Sequence, residues 1–360
     1  MPEAGARVEM PAPMRLAVRG LQYFTWPLKI DDYISLINPL WSTVEAKGRI
    51  ERIHNETPDA VTVFIVPGFR WRGHKAGQYL RVGFDIDGKR YWRAYSLSTD
   101  ASRPDGQITI TVKRSGDGIV SNWLNSGRGL GALVTLGEVE GQFILPEAVP
   151  RKLLFITAGS GITPVMAMLR ALERAGDMPD VVHLHSAKTA DDAIFGPDLT
   201  ALAESEANYN YVLRETSVDG RIEPSALDEL CPDWRDRQAY ACGPGEMLDA
   251  FREHALSVGH DVNVESFEHM VRAASGQGGT ITFQRSGQTA TCGPDEVILD
   301  AGEAADLNLP YGCRIGICHT CVGRLVHGEV RDLRTGDVML AGTEVRTCVN
   351  CPEGDIVLDL

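Results

Sequence analysis

The stretch TAGSGITPVMAML, residues 157–169, decides the architecture. It continues the apolar run KLLFI, so a buried strand runs into the turn Gly159-Ser160-Gly161 and a helix opens behind it. Thr163 is the expected N-cap, and Pro164 the expected first helical residue, where a missing N–H costs little. The free N–H groups and the dipole of such a helix start suit a pyrophosphate. Taken alone, the same glycines also fit an ordinary tight turn between strand and helix.

Working outward, DVVHLHSAK and NYVLRET read as further strands, and QAYACGP as a later one followed by the helix EMLDAFREHALSVG. This β-α-β-α rhythm predicts a doubly wound parallel sheet over residues 149–271, with ligands at the carboxyl ends of its strands. Cys242-Gly243-Pro244 falls at such an end. Cys242 equally fits a small buried hydrophobe.

Upstream, residues 45–148 read as β structure. GRIERI, AVTVFIV, QYLRVGF, YWRAYSLS and QITITVKR are short strands separated by turn residues. Asp87-Gly88 is a strong hairpin signal. Many short strands at close spacing predict an antiparallel barrel. Residues 1–44 form an extension with the amphipathic, Trp-bearing segment FTWPLKIDDYISLINPLW, expected to pack on the next domain.

Downstream, RAASGQGGT (residues 272–280) is rich in small residues and predicts a flexible linker. A small β-rich domain, 281–360, follows. It contains YGCRIGICHTCVG (residues 311–323) and RTCVNC (residues 346–351), five cysteines for a four-ligand site. Cys318-x2-Cys321 with Cys348-x2-Cys351 has a zinc-ribbon spacing. Cys313-x4-Cys318-x2-Cys321 plus one distant cysteine has the plant-type [2Fe–2S] spacing. Gly312 and Gly316 favour iron–sulfur, because a loop wrapped on a cluster turns backbone N–H groups toward sulfur. A Rieske centre is disfavoured: His319 and His327 flank the site, but the paired Cys-x-His boxes are absent. Cys231 and Cys292 have no expected partner and read as structural.

Bulk properties narrow the function. The 360 residues suggest two or three domains, and a net charge of −14 argues against nucleic acid. No apolar run approaches the ~20 residues of a membrane helix. The first residues carry neither a basic n-region nor an apolar core, so a cytoplasmic protein with reduced or metal-bound cysteines is expected. The acidic surface suits a basic protein partner. Residues 275–360 carry twelve Asp/Glu against six Arg/Lys, a bias that would steer such a patch or simply confer solubility.

These motifs together resemble the ferredoxin–NADP reductase superfamily with a C-terminal plant-type [2Fe–2S] ferredoxin domain. The resemblance covers roughly residues 45–360. Its nicotinamide side rests on Gly159-Ser160-Gly161-Ile162-Thr163-Pro164, on HSAK with Ser186 and Lys188, and on Cys242-Gly243-Pro244. Its flavin side rests on Arg93-Ala94-Tyr95-Ser96, on KAGQY with Ala76 replacing a usual proline, and on GDGIVSNWL with Gly118 and Ser121. The resemblance extends the flavin-side set to Val112, Lys113 and Val120, and VESFEHM places Phe267, with Glu265, at the end of the nicotinamide domain. The chemistry fits. Arginine offers a planar fork to phosphate, tyrosine stacks on a flavin ring, and the Ser96 hydroxyl donates to the atom that receives hydride. Ser96 and Cys242 are the implied catalytic residues. A second helix start at Gly118 suits a pyrophosphate, which favours FAD over FMN. Lys188, with Arg214 near the next strand end, leans toward NADPH over NADH; both also fit solvated surface charges.

The resemblance implies a β-grasp-like ferredoxin domain with metal ligands Cys313, Cys318, Cys321 and Cys348. CVNCPEGD matches the C-x-x-x-P-x-x-D ending of such modules when Cys348 is the ligand. NAD(P)H delivers a two-electron hydride and the cluster takes one electron, so a flavin must stand between them. The implied activity is an NAD(P)H:acceptor oxidoreductase passing electrons through FAD and [2Fe–2S] to a one-electron protein. The N-terminal extension resembles that of reductases serving stearoyl-CoA-type membrane desaturases, which implies fatty-acid desaturation and a peripheral membrane association through the partner. Rieske oxygenases, diiron hydroxylases and cytochromes P450 use similar reductases. Two other readings stand beside it: a flavin-containing binding or sensor protein with structural zinc, and a dehydrogenase subunit passing electrons in the opposite direction.

Overall fold

A computed structural model of the protein describes residues 33, 37–116, 118–266, 274–294, 296–307, 309–311, 316 and 319–360. The chain forms two compact units, one ending at Ser266 and the other C-terminal to it.

The first unit begins with six antiparallel strands: β1 (Lys47–Thr57), β2 (Ala60–Pro67), β3 (Tyr79–Ile86), β4 (Lys89–Ser96), β5 (Ile108–Lys113) and β6 (Leu133–Glu140). Their order is β4-β3-β6-β1-β2-β5, and a bridge between Leu97 and Ile110 joins the two edges into a barrel. Val63, Ile65, Leu80, Val82, Phe84 and Ile110 fill its interior. The expected Asp-Gly hairpin is present: Asp87 and Gly88 both have positive φ, as a tight β3–β4 turn requires. Two features differ from the expected strands. β6 was not anticipated, yet it pairs with both β1 and β3. β1 runs past its apolar part through the polar HNET, because β2 supplies a backbone partner as far as Thr57–Ala60. Helix α1 (Ile119–Asn125) buries Val120 and Leu124 in the barrel core.

Five parallel strands complete this unit: β7 (Lys152–Ala158), β8 (Asp180–Ala187), β9 (Tyr209–Glu215), β10 (Gln238–Gly243) and β11 (Val262–Ser266), in the order β11-β10-β7-β8-β9. The sheet is doubly wound, and the order reverses between β7 and β10, where such sheets bind ligands. Helices α2 (Ile162–Ala175), α3 (Gly196–Ser205) and α4 (Gly245–Ser257) are its longest connections. α2 ends at Gly176, whose left-handed φ of 65° stops the helix.

The second unit is a mixed sheet in the order β13-β12-β19-β14-β17, with a small sheet β16-β15-β18. Its strands are β12 (Gly279–Phe283), β13 (Gln288–Cys292), β14 (Val322–His327), β15 (Glu329–Asp332), β16 (Val338–Leu340), β17 (Glu344–Arg346), β18 (Asn350–Pro352) and β19 (Ile356–Asp359). A hairpin, a parallel β12–β19 pair and helix α5 (Ile298–Ala304) give a β-grasp-like arrangement. The segment expected as a flexible linker is pinned in its described part. The amides of Ala274, Gly276 and Gly278 donate to the carbonyls of Leu333, Pro294 and Pro352.

One buried polar chain crosses the parallel sheet. The Thr157 hydroxyl lies 2.8 Å from His183 Nε2 and 2.7 Å from His185 Nδ1, and His183 Nδ1 lies 2.7 Å from the Tyr209 hydroxyl. Both imidazoles are fully buried. Burial holds His183 well below the ordinary histidine range and pushes His185 down to about 4. The folded state therefore keeps both neutral while the unfolded chain binds protons below about pH 6.5. Stability is lost as pH falls through that value toward 4. Denaturant unfolding should show a loss approaching ~2.7 kcal/mol per pH unit in that window. A His185→Gln variant should show about half that slope.

Candidate functional site: a nucleotide crevice and a sulfur pair

The first βα turn is built differently from the expected N-cap. Gly159–Gly161 forms a 3-10 turn, and α2 begins at Ile162 with Gly161 as its cap. Thr163 does not cap amides. Its hydroxyl donates to the Ser160 carbonyl at 3.0 Å, and Thr163 and Pro164 are both buried inside the helix start. The reason is the neighbouring strand. A Cβ on Gly161 would lie 2.1 Å from the Cys242 carbonyl oxygen, so the two expected motifs touch through bare backbone. Register agrees, since Cys242 pairs with Thr157 on β7 and with Glu265 on β11.

Above this junction lies a cavity of about 340 Å³, lined among others by Lys113, Gly159, Ser186, Lys188, Arg221 and Pro244. Five of these were expected from sequence. Arg221 was missed, and it replaces Arg214 as the second cation. Arg214 does not line the cavity, and its guanidinium donates to the Asp219 carbonyl at 2.7 Å. Arg221 lies on an exposed loop, 3.3 Å from the Glu246 carboxylate, and no motif signals it.

Cys242 is fully buried, and burial, with the Glu265 carboxyl next to it, raises its thiol well above the ordinary range. Glu265 Oε2 is buried without a hydrogen-bond partner, and burial pushes this carboxyl up to about 8. It is therefore a protonated acid at neutral pH. Glu265 lines a second, more open cavity with Tyr79, Glu140 and Phe143. Sequence reading had it either facing the flavin or packing the last strand.

On the flavin side, Arg93, Ala94, Tyr95 and Ser96 end β4. The Arg93 guanidinium donates to the Trp92 carbonyl at 2.8 Å. Tyr95 packs edge-on against Phe84 at 6.2 Å. Ser96 is buried, and its hydroxyl has no hydrogen-bond partner. An orphaned hydroxyl is costly unless a ligand atom satisfies it, so this residue fits a polar cofactor. Val112 is buried on β5 beside Lys113, which pairs with Asp59 at 3.4 Å. Gly118 caps α1, and the Ser121 hydroxyl donates back to the Gly118 carbonyl at 3.1 Å. Ser121 thus shapes the helix start, and Val120 anchors it in the core.

In the second unit, Cys321 and Cys348 are buried with their Sγ atoms 3.1 Å apart. Two converging soft donors fit a thiophilic metal or an iron–sulfur cluster. Cys351 points elsewhere: its thiol lies 3.3 Å from the Gly293 carbonyl. Cys292, expected to be solitary, hydrogen-bonds Cys351. Gly316 has a left-handed φ of 75°, and its carbonyl accepts from Arg346 at 2.7 Å. The buried carboxylate of Asp332 pairs with Arg334 and Arg346 and braces that loop. Cys313, Cys318, Gly312 and Phe267 lie outside the described residues.

The comparisons agree with this arrangement. Residues 69–143 match an oxidoreductase FAD-binding domain, 155–253 an oxidoreductase NAD-binding domain, and 281–353 a 2Fe-2S iron-sulfur cluster binding domain. The chain belongs to the ferredoxin–NADP reductase superfamily, in the group with a C-terminal [2Fe–2S] ferredoxin domain. It is an NAD(P)H-dependent oxidoreductase that carries electrons through FAD to a [2Fe–2S] cluster. An NADPH oxidoreductase of Mycobacterium tuberculosis is 45% identical over 93% of this chain and 90% of its own length. The ferredoxin reductase component of a 3-ketosteroid-9-alpha-monooxygenase from the same species is 31% identical over 83% and 88%. The solved structure of phthalate dioxygenase reductase shares the fold, with a TM-score of 0.59 at 23% identity, covering 88% of this chain and 98% of that one.

The Gly161 contact makes a direct prediction. Gly161→Ala should force β10 and the first turn apart, destabilising the first unit by ~1–3 kcal/mol. Thermal unfolding of the variant, with nucleotide affinity alongside, checks this.

Proposed function

We propose that this reductase passes single electrons from its cluster to a separate oxygenase-type protein, with a fatty-acyl desaturase as the specific candidate. The observation that carries the reading is the pairing of a nucleotide crevice with a sulfur site on one chain. Relatives named as reductase components of oxygenases support the acceptor class. The desaturase reading rests on the sequence of the N-terminal extension, most of which lies outside the described residues.

The bound flavin supplies the conversion between a two-electron hydride and one-electron steps. In this reading Gly159, Ser160, Gly161, Gly243 and Pro244 let the pyridine nucleotide approach bare backbone at the switch point. Ser186 and Lys188 hold its ribose end, and Arg221 joins Lys188 as the second cation for a 2′-phosphate. Gly118 and the start of α1 receive the flavin pyrophosphate, beside Val112, Lys113, Val120 and Ser121. Arg93 and Tyr95 orient the flavin, and the Ser96 hydroxyl donates to it. Cys242 closes the nicotinamide pocket against water, with Phe267 in the adjoining position. Glu265 holds a proton nearby and adds no negative charge while neutral. Cys313, Cys318, Cys321 and Cys348 hold the cluster.

Aerobically purified protein should contain close to two irons and two acid-labile sulfides per flavin. NAD(P)H should then drive the reduction of one-electron dyes. Zinc without sulfide would overturn the reading. Cys348→Ser should lose the cluster absorbance while Cys351→Ser keeps it; the reverse would exchange the fourth ligand.

Two further outcomes are expected. Lys188→Ala and Arg221→Ala should each raise KM for NADPH by about tenfold, the effect of losing ~1.4 kcal/mol, and leave KM for NADH nearly unchanged. The rate of flavin reduction should fall as pH rises through about 8, where Glu265 ionises beside the arriving hydride. In Glu265→Gln that inflection should be absent from stopped-flow pH profiles.

A further inference from the structure

The described part of the second unit buries two thiols that the ligand set leaves unused. Cys292 ends β13 and Cys351 sits at the centre of β18, remote in sequence and both buried. Their side chains hydrogen-bond one another. The remaining contacts of both sulfurs are backbone. Cys292 donates to the Glu296 carbonyl at 3.2 Å, and Cys351 lies 3.3 and 3.4 Å from the Gly293 and Pro294 carbonyls. The chain 274–279 covers Cys351 so closely that a Cβ on Gly276 would lie 2.6 Å from its sulfur.

We propose that Cys292 and Cys351 form a second redox centre of the ferredoxin domain, a dithiol that closes to a disulfide when hydrogen peroxide oxidises it. The juxtaposition suits the chemistry. A disulfide needs two sulfurs brought together by the fold, and here both β-strands hold them there without help from a metal. The Cys292 thiol, with the amides of Gly278 and Gly276, favours the thiolate of Cys351 against the opposing effect of burial, and the Cys292 thiol itself is held well above its ordinary range. The two sulfurs are therefore unequal, which assigns attack to Cys351 and resolution to Cys292.

The step balances. The Cys351 thiolate attacks one peroxide oxygen, the O–O bond breaks, and the leaving hydroxide takes a proton to become water. Cys351 is then a sulfenic acid. Cys292 sulfur attacks it, the S–O bond breaks, a second water leaves and the S–S bond forms. Two thiol protons and two electrons have passed to peroxide. The oxidant is small enough to reach a covered site through local opening, which larger alkylating reagents enter poorly. The closed disulfide would tie β13 to the strand that follows Cys348, so the oxidised state stiffens the turn bearing one cluster ligand.

The test uses the cluster-loaded, full-length protein. It is exposed to hydrogen peroxide, acid-quenched at intervals, denatured, alkylated with N-ethylmaleimide and mapped by mass spectrometry, with cluster absorbance followed in parallel. A Cys292–Cys351 cross-linked peptide should appear before half of the cluster absorbance is lost, two alkylatable thiols should disappear, and dithiothreitol should restore both. Cys292→Ser and Cys351→Ala should each abolish the cross-link; the wild-type peptide map decides the matter even if a variant folds poorly. Cys292 and Cys351 both remaining alkylatable when the cluster is half bleached would overturn the proposal. So would cross-linking of Cys351 to any other cysteine. Loss of the cluster in Cys351→Ala with no cross-link in the wild type would instead mark Cys351 as a ligand.

Discussion

The structure turns on a contact that leaves room for only a hydrogen atom. At Gly161 the first βα turn rests on the Cys242 carbonyl of the neighbouring strand, and a methyl group there would stand 2.1 Å from oxygen. That close approach locks the turn to β10 at the point where the strand order reverses. The cavity opens above the same point, so its walls come from residues far apart in the chain. Lys113 on β5 and Pro244 after β10 share it with Gly159. The buried Cys242 thiol and the neutral Glu265 carboxyl follow from the same register, because pairing with β11 puts them side by side. Ordinary packing thus creates a crevice with little net charge of its own beneath a cation-lined mouth.

The second unit is organised by where its sulfurs point. A tight turn, closed by the Val349 amide on the Arg346 carbonyl, separates Cys348 from Cys351. β18 then pairs with β15, with Cys351 opposite Arg331, and this register carries Cys351 toward Cys292 and leaves Cys348 beside Cys321. The charge on the loop is handled locally. Asp332 is buried between Arg334 and Arg346, and both guanidiniums reach the Gly316 carbonyl. Removing either charge sign alone would leave the other buried and uncompensated.

Much of this was legible in the sequence. Alternation and turn residues exposed five barrel strands, Asp87-Gly88 marked its hairpin, and the β-α-β-α rhythm announced the parallel sheet. β6 escaped because LVTLGEVE carries a glycine mid-strand and alternates weakly; its partners β1 and β3 hold it. The Thr163 cap was a sound local inference that lost to a 3-10 turn, because the helix start had to fit against β10. Arg221 belongs to no motif and reaches the cavity only through the path of its loop. Cys292 looked solitary because pairing across the sheet brings it to a residue near the far end of the chain.

The sequence by itself determined the classes of chemistry: glycines where phosphate must approach backbone, a cysteine spacing suited to iron and sulfur, and strand and helix periods that order three domains. Such signals are local, since each depends on neighbours within a dozen residues. Tertiary structure decided which distant groups meet. It exchanged Arg214 for Arg221 at the cavity, buried Glu265 until its carboxyl stays protonated, and sorted Cys348 from Cys351. Each of these depends on strand register and burial, and neither quantity is written in any single stretch of the chain.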